Sequence, residues 1–235
     1  MVYYKNLKNM KKIIKTIEQS TIALLMLALM FLVVEPAVSS SASATSQFTV
    51  TLNVTNEISF SQGPSNVTLL PALAGITGGT ANGQTQVRVL TNNNTGYSMT
   101  LNSSSSLGMI GNGFGGVVPA YVSAVNGIPD FTFTVPANRA RYGYTVEAST
   151  TNDLAAIFKD NGSNTCGTGV NDTVNSCWLA ATTTPVTIIN RTSATADNGA
   201  TTTLKFRAVI NSNPSPIITE DIYVSTTTLT INENP

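Results

Sequence analysis

Apolar and polar residues alternate along much of the chain beyond residue 46, and this period of two is typical of half-buried β-strands. The stretch 47–54 ("QFTVTLNV") is the first example, and the stretch 57–61 ("EISFS") continues the same pattern. We predict a strand in each. On one face of the first strand the apolar side chains are those of Phe48, Val50, Leu52 and Val54.

The stretch 85–102 ("TQVRVLTNNNTGYSMTLN") predicts a β-hairpin, because Asn and Gly in "NNNTG" tolerate the positive φ of its turn. In 201–211 ("TTTLKFRAVIN") the alternation places Lys205 and Arg207 on the solvent side. A change of phase between Val224 and Leu229 predicts a bulge or bend. Strands are also predicted at 130–135 ("DFTFTV"), 142–148 ("YGYTVEA"), 185–190 ("PVTIIN"), 201–211 and 221–231 ("DIYVSTTTLTI").

One short helix is predicted at 152–162 ("NDLAAIFKDNG"), where Asn152 or Asp153 caps the start and Gly162 ends it. About eight to ten strands without alternating helices indicate an all-β fold, an antiparallel β-sandwich of the Ig-like or jelly-roll-like kind. No internal repeat or linker divides residues 45–235, so we expect a single domain there.

Two long glycine-rich loops interrupt the predicted strands, at 61–84 and 103–129. The second loop is also apolar, and long loops inside compact domains are often functional. Its apolar side chains have two possible roles, a contact surface for a partner or a cap over one end of the core. The residues concerned are Met109, Ile110, Phe114, Val117 and Val118.

The first 44 residues have the order of a secretory signal peptide. Five lysines precede the apolar run 21–34 ("TIALLMLALMFLVV"), and Ala42 and Ala44 follow at the spacing that signal peptidase favours. The run is shorter than the roughly 20 residues of a membrane-spanning helix. We therefore predict cleavage after Ala44 and a secreted or cell-surface domain of residues 45–235. An uncleaved membrane anchor is the alternative.

Charge is scarce in residues 45–235, where Lys159 and Lys205 are the only lysines. A chain so poor in cations cannot neutralise nucleic-acid phosphates or bind an anionic membrane through a basic cluster. We therefore expect no nucleic-acid partner, and no membrane contact after the signal peptide is removed. Thr, Ser and Asn are abundant instead, and Thr suits strands while Asn and Ser suit turns.

The sequence contains no histidine, which excludes Ser-His-Asp and Cys-His catalysis. Neither Lys159 nor Lys205 lies in a motif that would make it or a neighbouring serine reactive. Two carboxylates suffice for a glycosidase, but the acidic residues are scattered and no pair stands out. We expect no catalytic residue, no enzymatic activity and no cofactor.

Both cysteines, Cys166 and Cys177, lie in "NTCGTGVNDTVNSCW" beside the only tryptophan, Trp178. A redox pair is more often spaced C-x-x-C, and a metal site would need two more soft ligands. In an exported chain we therefore predict a disulfide that closes a 12-residue loop, worth roughly 2–3 kcal/mol. Oxygen ligands in 160–172 lack the spacing of an EF-hand, so no metal site is predicted.

Aromatic side chains are the residues that would stack on a sugar ligand. Arg139 and Arg141 in "NRARYGY" either belong to such a carbohydrate-facing patch or mark the start of a strand. The candidate stacking residues are Tyr97, Tyr121, Tyr142, Tyr144 and Trp178.

Three stretches carry a resemblance to known proteins: 87–104 ("VRVLTNNNTGYSMTLNSS"), 139–148 ("RARYGYTVEA") and 213–231 ("NPSPIITEDIYVSTTTLTI"). Together they resemble uncharacterised exported surface proteins of bacteria and, more distantly, coat and fimbrial subunits and wall-binding surface proteins. The resemblance implies a structural or adhesive role at the cell surface, with self-association, cell-envelope components or glycans as partners. The alternatives are a carbohydrate-binding module and a secreted hydrolase that uses two carboxylates.

Overall fold

The computed structural model describes residues 2–32 and 44–235. It separates into two compact units, Met1–Leu52 and Asn53–Pro235. The first unit contains one helix, α1 (Val2–Leu32), whose stretch Asn9–Met30 is long and apolar enough to cross a membrane. A signal sequence near the N-terminus has the same properties. Ala42 of the predicted cleavage motif lies outside the described residues.

The second unit is built almost entirely of strands, which the alternating sequence favours. The strands are β1 (Ile58–Gln62), β2 (Gly79–Thr91), β3 (Tyr97–Ser103), β4 (Gly108–Gly111), β5 (Val117–Pro119), β6 (Ala140–Ala148), β7 (Val186–Arg191), β8 (Ala200–Ile210), β9 (Tyr223–Val224) and β10 (Thr227–Glu233).

The strands form three antiparallel sheets. The largest has the order β1-β2-β8-β6, the second has the order β10-β3-β7, and the third is a small sheet of order β5-β4-β9. Both strands of the predicted hairpin form, but the hairpin itself is wrong, because β2 and β3 pair with other strands in different sheets and the turn at 92–96 crosses from one layer to the other. The fold is all-β and sandwich-like, as predicted.

The core lies between the first two sheets and is filled by the inward side of each alternation. In β8 the inward side chains are buried while Lys205 and Arg207 lie on the other face, as predicted. In β3 the corresponding buried residues are Tyr97, Met99 and Leu101. For β3 and β8, the period of two therefore identified the strand and also the face that it buries.

Two predicted strands are absent from the described residues. Residues 47–54 form no strand pair, and their apolar side chains are exposed. Residues 130–135 also form no strand, since only Asp130 makes an isolated bridge, to Trp178. Both predictions failed for one reason: alternation shows which side a strand would bury, but pairing needs a neighbouring strand edge.

The predicted helix at 152–162 is also wrong. Two single 3₁₀ turns occupy the region, Thr151–Asp153 and Ala156–Phe158. Leu154 lies between them with extended backbone and bridges to Ile189 of β7, so sheet contact replaces a continuous helix.

Two other regions differ from prediction in detail. The long loop 103–129 contains the short strands β4 and β5. The stretch 221–231 divides where the phase changes, because β9 pairs with β4 and β10 pairs with β3. Ile222 and Val224, the apolar residues before the change of phase, are exposed.

Candidate interaction site

An open groove of about 580 Å³ lies between the outer edges of the two main sheets. One wall is the chain at 64–69, which follows β1, and the other is the chain at 222–229, which contains β9 and the start of β10. β1 and β10 are the outermost strands of their sheets, and no ladder joins them in the part of the chain that the structure describes. We call this cavity the edge groove.

The floor of the edge groove is apolar. It is formed by Leu204 and Phe206 of β8 and by Tyr142 of β6, all of which are buried. Leu229 of β10 and Val67 are only half-buried although they pack against the core. Among the described residues no Asp, Glu, Lys or Arg lines the groove, and Ser, Thr and Asn side chains supply the polar part of its walls. Such a surface suits an uncharged ligand with both apolar and polar groups.

The hairpin between β4 and β5 has a rigid tip that presents Phe114 to solvent. Both carboxylate oxygens of Asp221 accept hydrogen bonds from the tip, with Gly113 N–H at 3.0 Å from each and Phe114 N–H at 2.9 Å from Oδ2. These backbone donors, first that of Phe114, hold the pKa of Asp221 below its usual range. The contacts fix the loop while the Phe114 ring stays 83% exposed.

The five candidate contact residues therefore divide into two groups. Val118 is buried in the core, and Met109 and Val117 are half-buried, which fits the capping role. Ile110 and Phe114 are exposed. Ile110 pairs with Val224 of β9. The exposed residues of this small sheet form an apolar surface, which we call the tip patch: Ile110, Phe114, Ile222 and Val224.

None of the five candidate stacking residues presents a ring face to solvent, since all are buried. Among the described residues the hydroxyls of Tyr97 and Tyr144 have no hydrogen-bond partner, and burial is the main reason that the pKa of Tyr97 rises to about 12. Two of the five line a cavity: Tyr142 is part of the groove floor, and Tyr121 borders a smaller cavity. These buried rings therefore have no face on which a sugar could stack in this structure. The five candidate stacking residues are Tyr97, Tyr121, Tyr142, Tyr144 and Trp178.

Trp178 anchors the outer face of the largest sheet. Its indole Nε1 donates to the Asn175 carbonyl at 2.8 Å, and the Arg207 guanidinium lies 4.4 Å from the ring centre. Phe133 packs edge-on against Trp178 at 5.2 Å and stacks on Tyr121 at 4.5 Å. The stretch 130–135, predicted as a strand, thus covers this face through its aromatic side chain.

A smaller cavity of about 300 Å³ lies near Tyr121, Asp130 and Arg141. The Tyr121 hydroxyl donates to Asp130 Oδ2 at 2.8 Å, and Ala124 N–H donates to the same carboxylate. Burial and then the bond to Asp130 raise the pKa of Tyr121 to about 12. Arg141 lies within β6, as the strand interpretation of "NRARYGY" predicts. Because Asp130 is already satisfied, this cavity offers few free polar groups to a ligand.

Cys166 and Cys177 form the predicted disulfide, with their Cα atoms 5.7 Å apart. Asp160 organises the chain around the loop that the disulfide closes. The Gly162 N–H donates to Asp160 Oδ1 at 2.8 Å, and the Thr173 hydroxyl donates to Asp160 Oδ2. The Thr173 bond is the largest cause that lowers the pKa of Asp160. Protein donors therefore occupy both oxygens of the Asp160 carboxylate.

Two ion pairs lie beside the sheets. Lys205 Nζ lies 2.5 Å from Glu147 Oε1, and Arg191 Nη1 lies 2.6 Å from Asp153 Oδ2. Among the described residues no three His, Cys, Asp or Glu side chains lie close enough to hold a metal ion.

The edge groove and the exposure of Ile222 and Val224 could not be foreseen from sequence. The wall at 64–69 belongs to a stretch that was predicted only as a loop, and its relation to β10 depends on which sheets β1 and β10 join. The one local signal was the change of phase before Leu229, which marks where the chain passes from one sheet to another.

No protein-family model matches this sequence, and no curated protein is significantly similar to it. The surfaces just described therefore have to be interpreted from their own chemistry.

Proposed function

We propose that this protein is exported and acts at the cell surface as a structural or adhesive component without catalytic activity. Its apolar N-terminal helix, acting as a cleaved signal, would direct residues 45–235 out of the cytoplasm. The Cys166–Cys177 disulfide supports the same compartment, because disulfides persist in oxidising surroundings. Its partners are other copies of the chain or components of the cell envelope.

The edge groove is the observation that carries this proposal. Its open volume and apolar floor suit a polypeptide or another uncharged partner, and its lining offers no acidic or basic side chain for catalysis. The tip patch extends the apolar surface of the groove, because Ile222 and Val224 belong to both while Ile110 and Phe114 lie beyond the groove lining. Glycan stacking on the candidate aromatic residues is not carried forward because those rings are buried.

Immunogold electron microscopy of intact native cells tests the proposed location. We expect gold label on the outside of unpermeabilised cells and none on cells that lack the gene. Label that needs permeabilisation would contradict export. A strictly monomeric protein found only in the medium would contradict a structural role at the surface.

A further inference from the structure

We propose that residues 47–54 of one copy of this protein dock as an added β-strand in the edge groove of a second copy. We call these residues the donor segment. The inference deepens the proposed surface role and rests on it, because export brings many copies together outside the cell.

The donor segment has the pattern of a strand but no partner. Four large apolar side chains alternate with four polar ones, and the segment belongs to no strand or ladder among the described residues. A row of this kind is rare on a soluble surface unless it meets another molecule. The exposed fractions are 86% for Phe48, 83% for Val50, 83% for Leu52 and 72% for Val54.

Among the described residues the edge groove has no strand paired with the outer edge of β10, and the donor segment would supply one. β10 repeats the same alternation, with Leu229 and Ile231 half-buried between exposed residues, so its inward side is only partly covered. A strand placed beside β10 would put one row of side chains over this surface and over Phe206 on the floor. Its backbone would pair with a free strand edge, as in other complexes formed by strand addition.

Size and charge also match. Seven residues from Phe48 to Val54 span about 20 Å when extended, at about 3.3 Å per residue. The groove wall at 222–229 is eight residues long, and Thr227 and Leu229 are its lining residues from β10. No side chain in residues 45–56 is charged, and neither is any in the groove lining; cleavage after Ala44 places the one charge, the α-amino group, on Thr45. Docking therefore desolvates no ionised side chain.

The chain that follows the donor segment opposes insertion into its own groove. Asn92 Nδ2 donates to the Thr55 carbonyl at 3.0 Å, and its Oδ1 accepts from Glu57 N–H at 2.7 Å. These bonds carry the chain straight into β1. Insertion into its own groove would require a reversal between Val54 and Ile58, the stretch that these two bonds hold against Asn92. A groove on another copy requires no such reversal.

This arrangement joins different surfaces on the two partners. The copy that gives its donor segment keeps a free groove, and the copy that receives it keeps a free donor segment. Contacts of this kind extend into open chains when the rotation between copies does not close a ring. We therefore infer head-to-tail polymers and not two-fold dimers.

The first test compares two matched variants of the full chain, each produced with its own leader in a secreting host. Val50→Glu/Leu52→Glu places two charges on the apolar face, and Thr49→Glu/Thr51→Glu places the same charges on the opposite face. Light scattering and electron microscopy should find chains in the wild type and the threonine variant but monomers in the first variant. Thermal melting should find the monomers of all three equally stable, because all four positions are exposed.

The second test uses a labelled peptide of residues 46–56 and the monomeric Val50→Glu/Leu52→Glu protein. We expect saturable binding, at least tenfold weaker for a peptide carrying the same two glutamates. A further Leu229→Glu change in the protein should weaken binding at least tenfold, with circular dichroism confirming its fold. The comparison of the wild-type peptide with the glutamate peptide does not depend on the Leu229→Glu protein.

Three results would overturn the inference: a wild-type protein that is only monomeric or a closed dimer, equal disassembly by both variants, or no peptide binding. A monomeric wild type that loses stability in the Val50→Glu/Leu52→Glu variant would indicate insertion into its own groove. Polymer formation by purified protein is independent of cellular location. Failure of assembly and failure of the surface role are therefore distinguishable.

Discussion

The disulfide should contribute a measurable part of the stability of the strand-rich unit. Cys166 and Cys177 are the only cysteines, so a reductant acts on this bond alone. They are 11 residues apart in sequence, and a loop of this size is stabilised by roughly 2–3 kcal/mol in the chain-entropy account. For a unit of this size, each kcal/mol corresponds to about 2–4 °C in melting temperature. We therefore predict that reduction lowers the midpoint by about 4–12 °C.

Two perturbations separate the crosslink from the packing of the sulfur atoms. Reduction leaves both buried thiols in place, whereas Cys166→Ala/Cys177→Ala also removes the sulfurs and adds a small cavity. The assay is thermal unfolding followed by circular dichroism, with free thiols counted before each scan. The double variant should melt lower than the reduced wild type and should not respond to reductant.

A fully reduced wild type that melts within about 1 °C of the oxidised protein would refute this reasoning, since about 4–12 °C is expected. It would mean that hydrogen bonds alone hold the loop. The bonds that would then be responsible are Asp160 N–H to the Asn171 carbonyl at 2.9 Å, Asn171 N–H to the Asp160 carbonyl at 3.0 Å, and Gly167 N–H to the Lys159 carbonyl at 2.8 Å.

Three further predictions concern the core, the tip and a buried tyrosine. Leu101→Ala should cost about 2–5 kcal/mol in urea unfolding because the side chain is fully buried, and a cost below about 1 kcal/mol would contradict the proposed core. Asp221→Ala should speed hydrogen exchange at the Gly113 and Phe114 amides, while β8 serves as the unaffected control. Burial raises the pKa of Tyr97 from 10.0 to about 12, so the stability it confers is complete below pH 10 and is lost as pH rises towards 12. Tyr97→Phe should therefore reduce the loss of stability at alkaline pH. It should not lower stability at pH 7, because the Tyr97 hydroxyl has no hydrogen-bond partner among the described residues. An unchanged dependence of stability on alkaline pH would contradict this.

The strands that sequence predicted correctly are those whose alternation meets a partner. β3, β6 and β8 bury the residues that the period of two selects, because each lies beside other strands in a sheet. The donor segment has an equally regular alternation but stays unpaired. Periodicity is a property of one segment, whereas pairing depends on the edges that the rest of the chain leaves free.

The candidate sites were harder to predict because they depend on tertiary burial. Tyr142 looked suited to stacking on a ligand or filling a core, and only the folded sheets place it inside. Trp178 beside Cys177 was expected to anchor the cysteine loop on the core, with ligand stacking as the alternative, and it is buried. The disulfide was predictable because spacing and the export signal together constrain two cysteines. Phe114 was predicted as a contact residue and is exposed, but the loop that presents it is held by Asp221, which lies 107 residues away.

The most direct test of the proposed surface location is the compartment and redox state of the native protein. Washed cell envelopes are denatured with an alkylating reagent and without reductant, then digested with trypsin. Cleavage after Lys159 and Arg191 releases a single peptide, 160–191, that contains both cysteines. We predict that this peptide is found in the envelope fraction, two hydrogen masses lighter than the dithiol and unalkylated. A peptide recovered from the cytoplasmic fraction with two alkylated thiols would contradict an exported, disulfide-bonded surface protein.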